Sequence, residues 1–495
     1  MSDGDPVMTF NDVYVYGKNL SHDGTHANLS ILVGYDEDRT ITDVTLDNLV
    51  TNGELNHAET VLVSHVGFRS PVRERARAQP HVPPIREWRH AMSHDPNRIS
   101  RRNVLHGAVG IAAAGIAAGV LGEKTASAAP PTFTHPGMLH NWGDINRAKA
   151  RVAAGDDPWL SGWNRLTANS HSSSGWRPNP QETIVRSATG GNYGILYNDI
   201  AAAYQNALRW RVAGTRANGD TARDILNAWS DRLTYIDGDS NRYLALGIYG
   251  WQFANVAELM RGYDGFDLGR FQDMMADVFA VWNHDFLVRH NDTCDSHYWA
   301  NWDLCNMASL MAIGILTDDG ARYDEAVTYF KQGLGSGAIR HAVPFLYSDV
   351  DGFDLGQWQE SGRDQAHSIM GMGLMGAICE MAWNQGDDLY SYDGRRFMKA
   401  AQYVAKYNLG MAVPYTTYAN CEGVTQRVIS SASRGQVRPV WARLHFHYNR
   451  RLYLDDRYIS AMYYDLAAPE GGGGDYGPNS GGYDELGFGT LMYAK

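Results

Sequence analysis

Glu360, Arg363, Asp364 and His367 stand at i, i+3, i+4 and i+7 in the stretch Gln357-Trp-Gln-Glu-Ser-Gly-Arg-Asp-Gln-Ala-His367. On a helix these four side chains share one face, which continues as Met370, Leu374 and Ile378. One face thus begins ionisable and ends apolar. A core helix has no packing reason to do that, whereas a helix whose first turns line a polar cleft does. Imidazole, carboxylate and guanidinium together are the parts of proton transfer beside a bound anion. The bland alternative is a buried ion-pair network that only ties helix ends together.

These residues need a scaffold, and the apolar spacing names it. Phe271, Met274, Met275, Val278, Phe279, Trp282 and Phe286 recur with helical period. The segments 195–213, 223–235, 245–261, 299–316, 323–334, 361–383 and 395–408 read the same way, with Gly, Asp and Asn in the connections. Strand-like runs are few before residue 410. This succession predicts an all-α domain, helical hairpins wound into an (α/α) toroid. Near the C-terminus, Glu470-Gly-Gly-Gly-Gly-Asp-Tyr-Gly-Pro-Asn-Ser-Gly-Gly-Tyr483 is expected to be a loop able to approach other backbone closely. Its Tyr476, Asn479 and Tyr483 are candidate ligand contacts.

The 495 residues, 44% hydrophobic and 20% charged, have ordinary globular composition. A net charge of −12 argues against general nucleic-acid binding, but a local cluster of Arg and His still suits an anionic substrate. The 14 Trp and 28 Tyr fit a protein that stacks rings on sugars, and equally a large helical core. Cys294, Cys305, Cys379 and Cys421 form no CxxC pair, so a zinc site is not expected; no other metal or cofactor motif is evident, a structural calcium ion being left open. Cys379 sits in an apolar helix as a small hydrophobe. A disulfide among the other three suits an exported protein, with the partners left open.

Residues 98–128 read as a twin-arginine export signal: Ser100-Arg101-Arg102, an uncharged Gly/Ala-rich core from Gly107 to Gly122, and Ala126-Ser127-Ala128 before Ala129. The apolar run is short for a membrane span. The expected organisation is an N-terminal extension of unassigned role (1–97), the signal (98–128) and a secreted domain (129–495). Either translation begins downstream, for instance at Met92, or the extension is a genuine cytoplasmic segment.

His135-Pro-Gly-Met-Leu-His140, the run Ala150–Trp163, Tyr298-Trp-Ala-Asn-Trp302, Gly356–His367, Tyr407-Asn-Leu-Gly410 and the Gly471–Tyr483 tail resemble secreted proteins of the alginate lyase superfamily. The likeness spans residues 135–495 and is nearest the branch that includes mannuronate- and glucuronan-cleaving enzymes. It implies an (α/α) toroid with an anionic polysaccharide in a central cleft, and no stable membrane association once the signal is removed. Such relatives carry Asn-Asn-His before a Tyr-Trp-x-x-Trp segment. Here Cys294-Asp295-Ser296 precede it, so Asn301 or Asn255 takes over the neutralising role. Relatives also carry Arg and, seven residues on, a catalytic Tyr. Glu360 and His367 show that spacing, which puts His in the acid/base position.

A lyase acting on a uronate must neutralise the carboxylate, remove the C5 proton and protonate the departing O4. In mannuronate and glucuronate the proton and O4 leave from one side, so one residue can serve as base and acid. Tyr418, favoured over Tyr415, follows a predicted helix where a loop can aim a phenol into the cleft. Its ordinary pKa of about 10 requires cationic neighbours, which Arg363 and His367 supply, or else His367 is itself the base. Asn301 is the leading neutraliser, with Glu360 orienting His367 or Arg363. Arg434 and Arg438 are candidates for flanking carboxylates, and Trp299, Trp358, Trp251 and His297 for subsites. Two rivals remain: a glycoside hydrolase pairing Glu360 or Asp364 with Asp303 or Asp351, and a non-catalytic carbohydrate binder.

Overall fold

The computed structural model describes residues 133–476 and 483–495, together with a strand pair, β1 (Leu49–Thr51) and β2 (Glu54–Asn56). The export signal, the position Ala129 and Asn479 lie outside the described residues. The chain divides into units 1–123 and 124–495. Of the first, β1 and β2 pair antiparallel, Leu49 opposite Asn56.

In the second unit the helices are α1 (Trp142–Ala154), α2 (Trp159–Ala168), α3 (Tyr193–Ala213), α4 (Arg216–Arg232), α5 (Arg242–Met260), α6 (Leu268–Met274) and α7 (Val281–Arg289). They continue with α8 (Ala300–Leu316), α9 (Gly320–Gln332), α10 (Ile339–Ala342), α11 (Gln365–Asn384), α12 (Tyr392–Asn408), α13 (Trp441–His445), α14 (Arg457–Ala461) and α15 (Gly489–Tyr493). The predicted helices are all present, most within a few residues at their ends; the one expected over 223–235 is Arg216–Arg232, and its expected end at 235 falls in a strand. The long run around Phe271–Phe286 is α6 and α7 joined by a π-helical segment, Met275–Ala280.

Two kinds of helix alternate. Helix α5 is buried from Tyr243 through Met260, and α8 and α11 are nearly as enclosed. Helices that are apolar all round must have protein on every side. Helix α9 buries a single stripe, Tyr323, Ala326 and Phe330, and α4 likewise buries Ile225, Leu226 and Trp229. The inner helices α1, α3, α5, α8, α11, α13 and α15 each pack on the next, and α15 returns to α1, which itself buries only Asp144, Ile145 and Ala148. Helices α4, α7, α9, α12 and α14 stand outside, each against the inner helix before it. This closed in–out alternation is the (α/α) toroid. Helices α5 and α8 approach closely because Gly247 and Gly250 face Cys305 and Ser309, where any Cβ would collide.

Inner helices linked through antiparallel outer ones all run the same way. Their N-termini therefore collect at one end of the ring, with the partial positive charge of their free N–H groups. The strands are small. β3 (Thr183–Val185) pairs parallel with β4 (Tyr235–Asp237). β5 (Phe345–Val350) pairs antiparallel with β6 (Phe353–Gln357), a hairpin that the sequence reading did not single out. β7 (Tyr418–Ala419) pairs antiparallel with β8 (Thr425–Gln426). A disulfide joins Cys294 to Cys421, while Cys305 and Cys379 are buried free thiols. Among the described residues, no helix is long and apolar enough to cross a membrane.

Candidate active site

The hairpin β5–β6 delivers the chain to the inner end of the ring. Gln357 ends β6, and the 3-10 turn Gln359–Gly362 follows. Asp364 is extended (φ −170°, ψ 165°) and caps α11, which begins at Gln365. Glu360, Arg363, Asp364 and His367 are thus not on one continuous helix, as their spacing suggested. A tight turn, a cap and a first helical turn bring them together instead.

The contacts are specific. Asp364 Oδ1 accepts from the His367 amide at 2.8 Å, and its Oδ2 lies 2.7 Å from His367 Nδ1. His367 Nε2 faces Arg363 Nη2 at 3.1 Å. A neutral imidazole that donates from Nδ1 and accepts at Nε2 satisfies both contacts. Arg363 Nη1 donates to Glu360 Oε1 at 2.9 Å and reaches Asn301 Oδ1 at 3.5 Å, with the guanidinium 5.4 Å above the Trp299 ring. The Asn301 Nδ2 meets the Met370 thioether at 3.9 Å, a weak acceptor, so this donor has most to gain from a carboxylate. Burial resists ionisation of Asp364, but His367 and Arg363 outweigh it and hold its pKa below the usual carboxylate value. Glu360 is fully enclosed; there burial outweighs Arg363 and His367 and its pKa rises.

Asn301, Asp364, His367 and Met370 border a cavity of about 460 Å³, within the usual range for ligand pockets, while Arg363 touches Asn301 and His367 from outside its lining. Leu244 and Ile248 of α5, Asn301 of α8, and Ala366, His367 and Met370 of α11 form one side. All lie near the N-termini of inner helices. The loop residues Ala432, Ser433 and Arg438, with Asp484 and Arg186, form the rest. Arg438 is buried and ion-paired with Asp484. Its pKa falls to about 10, lowered by burial against the pull of Glu485 and Asp364.

Of the sequence candidates, Asn301, Glu360, Arg363, His367 and Arg438 come together here, and Trp299 stands beside Arg363. Tyr418 Oη accepts from Gln359 Nε2 at 2.9 Å, and Gln359 Oε1 in turn holds the Ala300 amide at 3.1 Å, one residue before Asn301. Tyr418 thus lies next to the site but outside the cavity lining. Tyr415 donates to Gln426 O at 3.1 Å, and burial beside Tyr347 pushes its pKa up to about 12, away from phenolate chemistry. His297 lies on the loop beyond, 2.9 Å from Glu422. Tyr476 accepts from the Gly471 amide at 2.9 Å, and Tyr483 stacks on Tyr197 at 4.8 Å.

Other expectations are corrected. Trp251 and Trp358 are fully buried core and present no face to a sugar. Asn255 accepts from the Leu139 amide at 3.0 Å, tying down the segment before α1. It lies about 10 Å along α5 from Ile248. Arg434 donates to the carbonyls of Tyr407 (2.7 Å) and Met411 (2.9 Å) and stacks on Tyr407, so it pins a loop. The hydrolase pairing also fails. Asp303 is enclosed by His290, Tyr329 and the Gly337 amide, and Asp351 is an exposed turn residue paired with Lys406. The carboxylates that do line the cavity, Asp364 and Asp484, are each engaged by a cationic or imidazole partner.

Sequence reasoning missed Arg186, Asp484 and the glutamines. Gln357 holds both N–H and C=O of Thr416 (2.7 and 2.8 Å), and Gln365 holds the carbonyls of Ser361 (3.2 Å) and Ser430 (3.0 Å). Together with Gln359 they strap residues 411–432 across the turn. The visible signal was three Gln inside nine residues, Gln357 to Gln365, in a stretch that buries them.

The alginate lyase family model matches residues 192–412. The match is consistent with the alginate lyase superfamily and supports a polysaccharide lyase, a carbon–oxygen lyase. The matched segment carries Asn301, Glu360, Arg363, Asp364 and His367, while Arg186, Arg438 and Asp484 fall outside it. Alginate lyase A1-III from Sphingomonas species A1 is 16% identical with a TM-score of 0.48, covering 72% of this chain and 96% of its own. An A1-III variant complexed with a tetrasaccharide gives 15% and 0.47 over 72% and 95%. An alginate lyase from Bacteroides ovatus gives 12% and 0.47 over 73% and 100%. No curated protein matches.

Proposed function

We propose that this lyase cleaves a uronic-acid polymer, alginate in its mannuronate-rich form or a glucuronan, by β-elimination, with His367 as the proton-transfer group. The observation that carries this reading is that Asn301 and the Asp364-held imidazole share one wall of the cavity, with Arg363 in contact with both. Asn301 Nδ2 and Arg363 receive the substrate carboxylate and drain charge from it, which acidifies C5–H. As Arg363 turns to that carboxylate, it releases His367 Nε2. The imidazole then takes the C5 proton, a C4=C5 double bond forms, the C4–O4 bond breaks, and the imidazolium returns the proton to O4. Asp364 holds the ring and stabilises its charged form. One group serves both steps where proton and O4 leave from the same side, which favours mannuronate and glucuronate over guluronate. The inner-helix N-termini around the cavity favour the anionic substrate.

The protein is read as exported. The twin-arginine pattern at 98–128 and the Cys294–Cys421 bridge support this, because such bridges persist in oxidising compartments. The test is to incubate the chain with polymannuronate, polyguluronate, glucuronan, hyaluronan and pectate, following the ultraviolet band of the unsaturated uronate. A rise on polymannuronate or glucuronan is expected. New reducing ends without that band would replace the reading with hydrolysis.

A further inference from the structure

The cavity contains a cation with a different setting from the rest. Arg438, which also lines it, is paired with Asp484, and Arg363, just outside the lining, with Glu360. Arg186 also lines the cavity, yet no carboxylate pairs with it among the described residues. It rests on aromatic rings instead. Its guanidinium lies 5.0 Å from the Tyr193 centroid and 5.7 Å from that of Tyr249, and Nη1 donates to Tyr249 Oη at 3.2 Å. A chain with a net charge of −12 has many carboxylates to offer, and none is used here. Cation–π contacts hold the guanidinium in place while leaving its other N–H donors for a partner.

The rings continue beyond it. Tyr193 and Tyr197 lie 6.0 Å apart, and Tyr197 stacks on Tyr483 at 4.8 Å. Tyr193, Tyr197 and Tyr483 are all half-buried, so each keeps an open edge or face. Arg186 stands in the turn after β3, which packs on α3, the inner helix next to α5. The cavity therefore has one anion-binding group beside the proton-transfer residues and another at the foot of an aromatic row.

Resting on the proposed uronan substrate, we infer that Arg186 is the carboxylate anchor for a sugar neighbouring the one that is cleaved, and that Tyr193 and Tyr197 offer it stacking surface. A fork of guanidinium donors matches a carboxylate in two-point geometry. The lyase would then read charge at two successive sugars, and require a polymer acidic at both.

The test measures binding of a mannuronate tetrasaccharide and of its carboxyl-reduced, neutral counterpart by calorimetry, in a His367→Ala background that slows turnover. Arg186→Ala and Arg186→Gln are each expected to weaken the acidic ligand about tenfold, the loss of one charge-assisted contact, and to leave the neutral ligand unchanged. Gln keeps a donor for Tyr249, so it carries the comparison should the Ala variant fold poorly. Equal affinity of parent and Arg186 variants for the acidic ligand overturns the inference while leaving the proposed function standing. Equal weakening of both ligands also overturns it, since that marks a packing role. No binding of the acidic ligand by the parent overturns both.

Discussion

Asp364 holds His367 twice, one carboxylate oxygen on the backbone amide at 2.8 Å and the other 2.7 Å from Nδ1 of the ring. The residue that starts α11 is thus also the one that aims the imidazole. Capping fixes where the helix begins, and the same carboxylate fixes the tautomer.

These two duties separate by mutation. Asp364→Asn keeps a capping side chain, so its melting temperature should stay close to the parent's while turnover falls at least about a hundredfold, because the ring loses its anionic partner. Asp364→Ala should in addition lose about 1 kcal/mol of stability. Thermal unfolding and steady-state rates on polymannuronate read the two effects independently.

Asn301 should tolerate no charge. Asn301→Ala removes a donor to the substrate carboxylate and is expected to cost about a hundred- to a thousandfold in kcat. Asn301→Asp should be worse still, since a like charge would face the substrate. An Asp variant more active than the Ala variant would remove Asn301 from the neutralising role.

Tyr418 and His367 differ in where they stand. His367→Ala should abolish the ultraviolet signal. Tyr418→Phe loses only the bond from Gln359, a net loss of about 1 kcal/mol, and should retain most turnover. The reverse ranking would return the proton-transfer role to the tyrosine.

Glu470 gives a pH signature of the fold itself. It is fully buried and accepts from the amides of Trp441 (2.8 Å) and Ala442 (2.9 Å). Burial raises its pKa from 4.5 to about 7 despite those bonds. A carboxyl whose folded value lies above its unfolded one binds more protons when folded, so stability falls as pH rises between those two values and levels above the higher. Chemical denaturation at pH 4.5, 6 and 7.5 should show this decline, and Glu470→Gln should make it shallower but not remove it, because burial also raises Glu485 to about 7.

The ring was legible because its evidence repeats: the central inner helices, α5, α8 and α11, are buried on nearly every side, and the outer α9 carries a stripe. The His367 cluster was legible as a set of residue types, but its geometry was not. Spacing alone cannot tell a helical turn from a 3-10 turn followed by an extended cap, and Asp364 takes the second route. Trp251 and Asn255 misled because an aromatic or amide on a fully enclosed helix looks the same in sequence whether it faces the cavity or the core. Arg186 was missed because its partners are rings far along the chain, a relation that leaves no periodic trace.

The closure of the ring has a consequence for how such a protein can change. Since each inner helix from α3 to α13 is followed by an outer one, adding or losing such a helical hairpin leaves the remaining inner helices pointing as before. Loops at their starting ends can therefore be rebuilt to suit another polymer, while the opposite end, where Arg451 holds Glu380 at 2.8 Å, keeps the barrel closed. Recognition and cohesion are assigned to opposite rims, and selection can act on one without touching the other.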